Sequence, residues 1–130
     1  PFLDIPLDEW EWSVALNLTG TFLCCQRAGQ LMASTPDRPN RAILVVSSIR
    51  AEGARPGRVA YSTAKAGLNQ LVRVAAYELA EHGIRVNALS PGITATPMAL
   101  EGNPEVFAEM AATVPLRRAI IAGSTLRVRR

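Results

Sequence analysis

Two short aliphatic segments, residues 41–46 and 84–89, frame a long segment of helical character, and this alternation constrains the fold more than any other feature. Both short segments have the composition that is typical of buried strands in a parallel sheet. Residues 59–81 predict a helix that stops at Gly83. The sequence therefore predicts an α/β fold in which helices cover a parallel sheet and functional sites lie at the carboxyl ends of the strands.

Two further helices are predicted on either side of this unit. Asp8 is a suitable N-cap for a helix that continues to about Ala33. Asn103 followed by Pro104 predicts the start of another helix, which extends to about residue 112. The stretch 94–102, which precedes that helix, is expected to be flexible.

Tyr61 and Lys65 are four residues apart in the predicted central helix, so their side chains lie on the same helix face. Lys65 is the only lysine of the chain, which has thirteen arginines. A neighbouring ammonium lowers the pKa of a phenol from its usual value of about 10, which makes the hydroxyl a better proton donor and acceptor near neutrality. Taken alone, such a pair is also compatible with a solvated helix surface.

Three other features fit the same chemistry, and each has a simpler alternative. Ser48 follows the first predicted strand, where it could instead bond its own backbone in a turn. Asn17 is unfavourable in the middle of a helix because its amide competes for backbone hydrogen bonds, although packing alone could account for it. Pro91 and Gly92 follow the second strand and could form no more than a turn.

Together these residues resemble, in order and spacing, the classical branch of the short-chain dehydrogenase/reductase family, which includes 3-oxoacyl-carrier-protein reductases. Four segments carry the resemblance: residues 12–22, 42–48, 61–65 and 83–98. The match covers roughly residues 8–116. It implies a partial Rossmann-like, doubly wound parallel sheet with flanking helices. It also implies an NAD(P)-dependent oxidoreductase that interconverts a ketone and a secondary alcohol by hydride transfer.

The resemblance implies a role for each matching residue. Ser48 would hydrogen-bond the reacting oxygen, Tyr61 would transfer the proton, and Lys65 would lower the pKa of Tyr61 and hold the nicotinamide ribose. Asn17 would disturb its helix locally and free a carbonyl group for a water molecule in the proton relay. No metal site is expected. The cofactor-binding residues implied are Tyr61, Lys65, Pro91, Gly92, Ile93, Thr94 and Thr96.

The nucleotide-binding half that opens such proteins has no counterpart in this sequence, which lacks both the glycine-rich turn and the Asn-Asn-Ala-Gly segment. We therefore expect residues 1–116 to form the catalytic half of a Rossmann-like domain, followed by a divergent arginine-rich tail at residues 117–130. The choice between NAD and NADP stays open, because the residue that decides it lies upstream in the family. The alternative function is a catalytically inactive fragment that acts at most as a structural or oligomerisation partner.

The basic charge of the chain lies in this tail. Residues 117–130 contain five arginines and no acid, which leaves 9 basic and 11 acidic residues in the rest of the chain. An arginine-rich terminus is more typical of a solvated end than of a nucleic-acid interface, so no nucleic-acid partner is expected. No apolar run is long enough to span a bilayer, so no membrane partner is expected either.

Two observations concern the compartment and the assembly. Cys24 and Cys25 are adjacent and have neither disulfide nor metal-ligand spacing, which favours a reducing cytoplasm. The alanine-rich helices around residues 16–31 and 64–79 carry more apolar surface than one sheet face covers. In the family such helices pair across a dimer axis, so a homodimer or homotetramer is expected for the full-length form. Packing within the chain is the alternative.

Overall fold

A computed structural model describes residues 1–35 and 37–121, and it divides the chain into two compact units, residues 1–90 and 91–130. The first unit begins with a 3₁₀ turn at Phe2–Asp4. One helical rod then consists of α1 (Leu7–Val14), a π-helical segment (Ala15–Thr19) and α2 (Gly20–Ala33). The predicted end of this rod at Ala33 is confirmed.

The predicted N-cap of α1 was wrong. Pro6 occupies the N-cap position, and no side chain caps the helix. Asp8 lies in the first turn instead, where its Oδ1 accepts a hydrogen bond from the backbone N–H of Glu9 at 3.0 Å. The carboxylates of Asp8 and Glu9, both in the first turn, still favour the helix, because negative charge near a helix N-terminus interacts favourably with the helix dipole.

The sheet of the first unit contains β1 (Ala42–Val46) and β2 (Arg85–Leu89), which pair in parallel from Ala42 opposite Arg85 to Val46 opposite Leu89. The predicted parallel α/β architecture is therefore confirmed. One face of this sheet packs into the core, whereas Leu44 and Val46 on the other face are more than half exposed. The buried core cluster is Cys25, Ile43, Val45, Leu68, Val72, Ile84 and Val86.

The crossover between the two strands contains a 3₁₀ turn at Ile49–Ala51, helix α3 (Val59–Glu78) and a second 3₁₀ turn at Ala80–His82. Gly83 ends the helix with a φ of 66°, the left-handed conformation that glycine adopts readily. The predicted stop is confirmed, although the last turn before it is 3₁₀ rather than α-helical. The guanidinium of Arg41 donates to the carbonyls of Met32 (2.6 Å) and His82 (2.5 Å), so one side chain satisfies the C-terminal ends of both helical segments.

The second unit contains β3 (Thr94–Ala95), α4 (Pro97–Gly102), α5 (Pro104–Ala112) and β4 (Ile120–Ile121), and β3 pairs with β4 in parallel. The stretch 94–102, expected to be flexible, therefore contains a short strand and a helix. The Thr96 hydroxyl accepts from the N–H of Ala99 at 3.2 Å and Pro97 occupies the first turn, two features that start a helix.

The predicted start of α5 at Asn103 and Pro104 is confirmed, since Asn103 Oδ1 accepts from the N–H of Val106 at 3.1 Å. Residues 122–130, which make up most of the predicted tail, lie outside the described residues. Within the part of the chain that the structure describes, no helix has the length and apolar character needed to cross a membrane.

Candidate active site

Tyr61 and Lys65 lie one turn apart on α3, and both side chains are partly buried. The ammonium nitrogen of Lys65 lies 5.7 Å from the centre of the Tyr61 ring, within the range of a cation–π contact. The same nitrogen donates a hydrogen bond to the carbonyl of Val46, the last residue of β1, at 3.0 Å. The lysine is thus held between the phenol and the carboxyl end of a strand.

Ser48 follows that strand end by two residues in an extended conformation. Its Oγ accepts a hydrogen bond from the N–H of Arg50 at 3.1 Å and caps the turn Ile49–Ala51, against which α3 packs. The turn-forming alternative for Ser48 is therefore correct as a local description. It leaves room for a chemical role, because a hydroxyl that accepts through oxygen can donate its hydrogen at the same time.

Asn17 lies in the π-helical segment, whose wide turn is closed by a bond from the N–H of Gly20 to the carbonyl of Ala15. The helix therefore departs from α-helical geometry at this position, and such π turns are frequent at functional sites. The side-chain amide of Asn17 donates to the backbone carbonyl of the buried Ser13 at 3.0 Å. The backbone carbonyl of Asn17 accepts from the Thr21 hydroxyl at 2.9 Å.

The π-helical segment packs directly against α3. Leu18 lies so close to Gly67 that a Cβ on this glycine would come within 3.0 Å of the leucine side chain. The structure therefore brings the segments that bear Asn17, Ser48, Tyr61 and Lys65 together around α3. Gly67 lies in one of the two helices that were expected to pair with a second copy, and it is used here for a contact within the chain.

The second unit contains the five residues after β2 that are expected to bind the cofactor. The Thr94 hydroxyl donates to the carbonyl of Gly92 at 3.2 Å, and the N–H of Ile120 donates to the carbonyl of Ile93 at 2.7 Å. Thr96 caps α4, as described above. Pro91, Gly92, Ile93, Thr94 and Thr96 are all partly buried.

Sequence reasoning missed one pair of residues at the strand end. Ser47 is 3% exposed, and its Oγ lies 2.7 Å from Asn69 Oδ1 and 3.3 Å from the carbonyl oxygen of Lys65. The available signal was positional, because Asn69 follows Tyr61 and Lys65 at steps of four residues on the same helix face.

The Tyr61 hydroxyl can donate or accept a hydrogen bond, and the Lys65 ammonium beside the ring carries three N–H donors. Within residues 1–35 and 37–121, no group of three His, Cys, Asp or Glu side chains could hold a metal ion.

A family model described as enoyl-(acyl carrier protein) reductase matches residues 1–125. The (3R)-3-hydroxyacyl-CoA dehydrogenase of Mus musculus is 38% identical over 109 residues, which are 84% of this chain and 41% of the relative. The 3-oxoacyl-[acyl-carrier-protein] reductase of Synechocystis is 35% identical over 116 residues, which are 89% of this chain and 44% of the relative.

A solved structure of an NAD⁺-bound xylitol dehydrogenase superposes with a TM-score of 0.81 at 28% sequence identity, and the match covers 93% of this chain and 52% of that one. The chain thus spans about half of this structure and about two fifths of the two curated relatives. The similarity extends over both described units.

Proposed function

Because the chain belongs to the short-chain dehydrogenase/reductase family, we propose that it forms the catalytic half of an NAD(P)-dependent oxidoreductase that interconverts a ketone and a secondary alcohol. The observation that carries the proposal is the position of the Lys65 ammonium, over the Tyr61 ring and bonded to the end of β1. An ordinary solvated lysine would need neither contact. Here the only lysine of the chain has both.

The residues present fit a nicotinamide cofactor. Lys65 Nζ has three N–H donors, of which the bond to Val46 uses one, so two can bind the ribose hydroxyls. By the family resemblance, the cofactor, either NAD or NADP, would be contacted near its carboxamide and phosphate by Pro91, Gly92, Ile93, Thr94 and Thr96. When bound, the nicotinamide ring supplies or accepts the hydride.

The side chains of the chain handle the proton. In ketone reduction, Tyr61 donates its phenolic proton to the substrate oxygen, and in alcohol oxidation it takes that proton back. Ser48 donates a hydrogen bond to the same oxygen and fixes its position. The positive charge of Lys65 stabilises the phenolate that remains after proton donation. Asn17 would disturb its helix locally, so that a carbonyl group there binds a water molecule, and this water would extend the proton relay from Lys65.

The substrate is a small carbonyl compound or the corresponding alcohol. The names of the two curated relatives both describe reactions at the 3-position of an acyl thioester. Acetoacetyl-CoA and 3-hydroxybutyryl-CoA are therefore the first substrates to assay, followed by xylitol, after the solved relative.

Cofactor binding and turnover test the proposal directly. Fluorescence of NADH and NADPH and thermal shift should be measured on the 130-residue chain and on any longer product of the same reading frame. Turnover of acetoacetyl-CoA should follow on whichever form binds. We expect Tyr61→Phe to lower kcat by about 10²- to 10⁴-fold and to weaken cofactor binding far less, because Lys65 and the other cofactor-binding residues are kept.

Tyr77→Phe is the matched control, because Tyr77 lies on the same helix and is 87% exposed. It should leave both binding and turnover unchanged. Near-normal turnover by Tyr61→Phe would refute the proposed role of Tyr61.

A non-enzymatic role is the second candidate. On this view the chain keeps the site residues but binds no cofactor, and acts as a structural partner of related chains. Absence of NADH and NADPH binding in every form would favour this candidate over the enzyme.

We also propose that α2 and α3 pair with a second copy of the chain. A groove between these helices contains the apolar side chains of Phe22, Leu71 and Val74, and Phe22 and Val74 are 40% and 44% exposed. Val74→Glu should convert a dimer to a monomer in light scattering coupled to size exclusion. Arg73→Glu, on the same helix, is the control.

A further inference from the structure

We infer that Ser47 and Asn69 are positioning residues for the proposed reaction, joined by a neutral hydrogen bond that sets the register between the strand end bearing Ser48 and the helix bearing Tyr61 and Lys65. The inference rests on the proposed function and extends it to two residues that touch neither substrate nor cofactor. The bond from Ser47 Oγ to Asn69 Oδ1 measures 2.7 Å.

Ser47 is the middle residue of the strand end. On one side, Val46 offers its carbonyl to the Lys65 ammonium, and on the other side Ser48 begins the turn that packs against α3. The N–H of Ser47 donates to the carbonyl of Leu89 at 2.8 Å and extends the pairing of the two strands by one residue. Because neighbouring Cα atoms are a fixed distance apart, fixing Ser47 restricts both of its neighbours.

Asn69 provides the second anchor on α3, one turn after Lys65. A charged bond (Lys65 to Val46) and a neutral bond (Ser47 to Asn69) therefore cross between the same strand end and the same helix. The carbonyl of Lys65, 3.3 Å from Ser47 Oγ, is a more distant acceptor for the same hydroxyl. The charged bond involves the group that acts in the proposed chemistry. The neutral bond can keep the strand end at the same position along α3 whatever the charge on Lys65.

Stability alone does not require this pair. Position 47 continues the inward-facing alternation of Ile43 and Val45, so an aliphatic residue there would bury more apolar surface. A buried hydroxyl and a partly buried amide must both be desolvated, and their mutual bond returns only a modest net gain. A directional bond at this point fixes the position of the strand end along the helix, which apolar packing does only loosely.

The test uses the single lysine as a probe. Labelling lysine with ¹³C at Cε gives one signal, from Lys65, that needs no assignment. A side chain held by the Val46 carbonyl keeps its two Hε protons inequivalent, whereas a free side chain averages them. We expect this inequivalence in the unmodified chain and its loss in Ser47→Ala and in Asn69→Leu.

Gln70→Leu is the matched control, because it makes the same kind of substitution at the next, exposed position of α3. It should leave the Lys65 signal unchanged. Where turnover is measurable, Ser47→Ala and Asn69→Leu should lower kcat by about 10- to 100-fold and leave the cofactor KM within about threefold, because geometry rather than binding is lost. The kcat of the double variant should be no lower than that of the less active single variant, since the two residues act through one bond.

Ser47→Ala deletes one oxygen atom, so it keeps the test open if Asn69→Leu does not fold. An unchanged Lys65 signal in the folded variants would overturn the inference. So would normal kcat in a variant whose lysine has become mobile. Failure of the proposed function shows itself separately, as absence of turnover in the unmodified protein, and the lysine signal reports on the bond even then.

Discussion

The boundary between β1 and α3, where the end of the strand meets the helix, differs from the segment 91–121 in the kind of contact that builds it. At the boundary, residues that are far apart in sequence meet, as in the bonds from Lys65 to Val46 and from Ser47 to Asn69. In the segment, the helices start at local caps made by Thr96 and Asn103, and pairing between residues far apart in sequence is confined to two strands of two residues each. Ser48, Tyr61 and Lys65 lie at the boundary, whereas the residues after β2 that are expected to bind the cofactor lie in the segment.

The difference suggests that the two regions have different functions. Long-range contacts and a buried core fix side-chain positions to the precision that proton transfer needs. Elements held by local caps open at lower free energy, which suits a region that must admit and release ligands. Four predictions test whether the two regions differ in this way.

The largest stability effect is expected at the boundary. Leu68 is fully buried on α3, so Leu68→Ala should lower the free energy of unfolding by about 2–5 kcal/mol through lost burial and a residual cavity. Val106→Ala on α5, where the side chain is 40% exposed, should cost less than about 1 kcal/mol. Urea denaturation followed by circular dichroism gives both values. Equal losses would contradict the proposed contrast.

Removal of the lysine charge should affect chemistry more than stability. Lys65→Met keeps much of the aliphatic stem but loses both the bond to Val46 and the charge beside Tyr61. We expect kcat to fall by about 10²-fold or more in whichever form of the protein turns over. Arg73→Met, an exposed cation on the same helix, should leave kcat unchanged. Equal rates for the two variants would exclude a chemical role for Lys65.

Loss of a local cap should act only on the segment. Asn103→Ala removes the acceptor for the N–H of Val106, which should cost about 1 kcal/mol of helix stability. Amide hydrogen exchange should accelerate in α5 and stay unchanged in α3. Acceleration in both helices would show that the two regions unfold together.

The smallest effect concerns the two cysteine thiols of α2, the exposed Cys24 and the buried Cys25. Burial, with a smaller contribution from Cys24, raises the pKa of Cys25 above its ordinary value of 9.0. The folded protein therefore holds the Cys25 proton more tightly than the unfolded chain does, and this contribution to stability is lost as the pH rises above 9.0. Iodoacetamide should modify the exposed Cys24 first, and Cys24→Ser should leave a thiol that reacts only slowly.

Much of the fold could be predicted because its signals are local. The helix ends at Ala33 and Gly83 and the start at Asn103 depend on residues within one turn of each boundary, and all three are confirmed. The same local logic failed at Asp8, where the preceding proline occupies the cap position. At residues 94–102, Thr96 and Pro97 form a local helix start that the expected flexible stretch does not include.

The sequence by itself determined the parallel strand–helix–strand order, the shared helix face of Tyr61 and Lys65, and a resemblance to one family, because periodicity and spacing are properties of the chain alone. Only the tertiary structure decided that Lys65 reaches the carbonyl of Val46 and that Ser47 bonds Asn69. These contacts join residues 19 and 22 positions apart. Their geometry depends on how closely α3 packs on the sheet, and the packed core sets that distance.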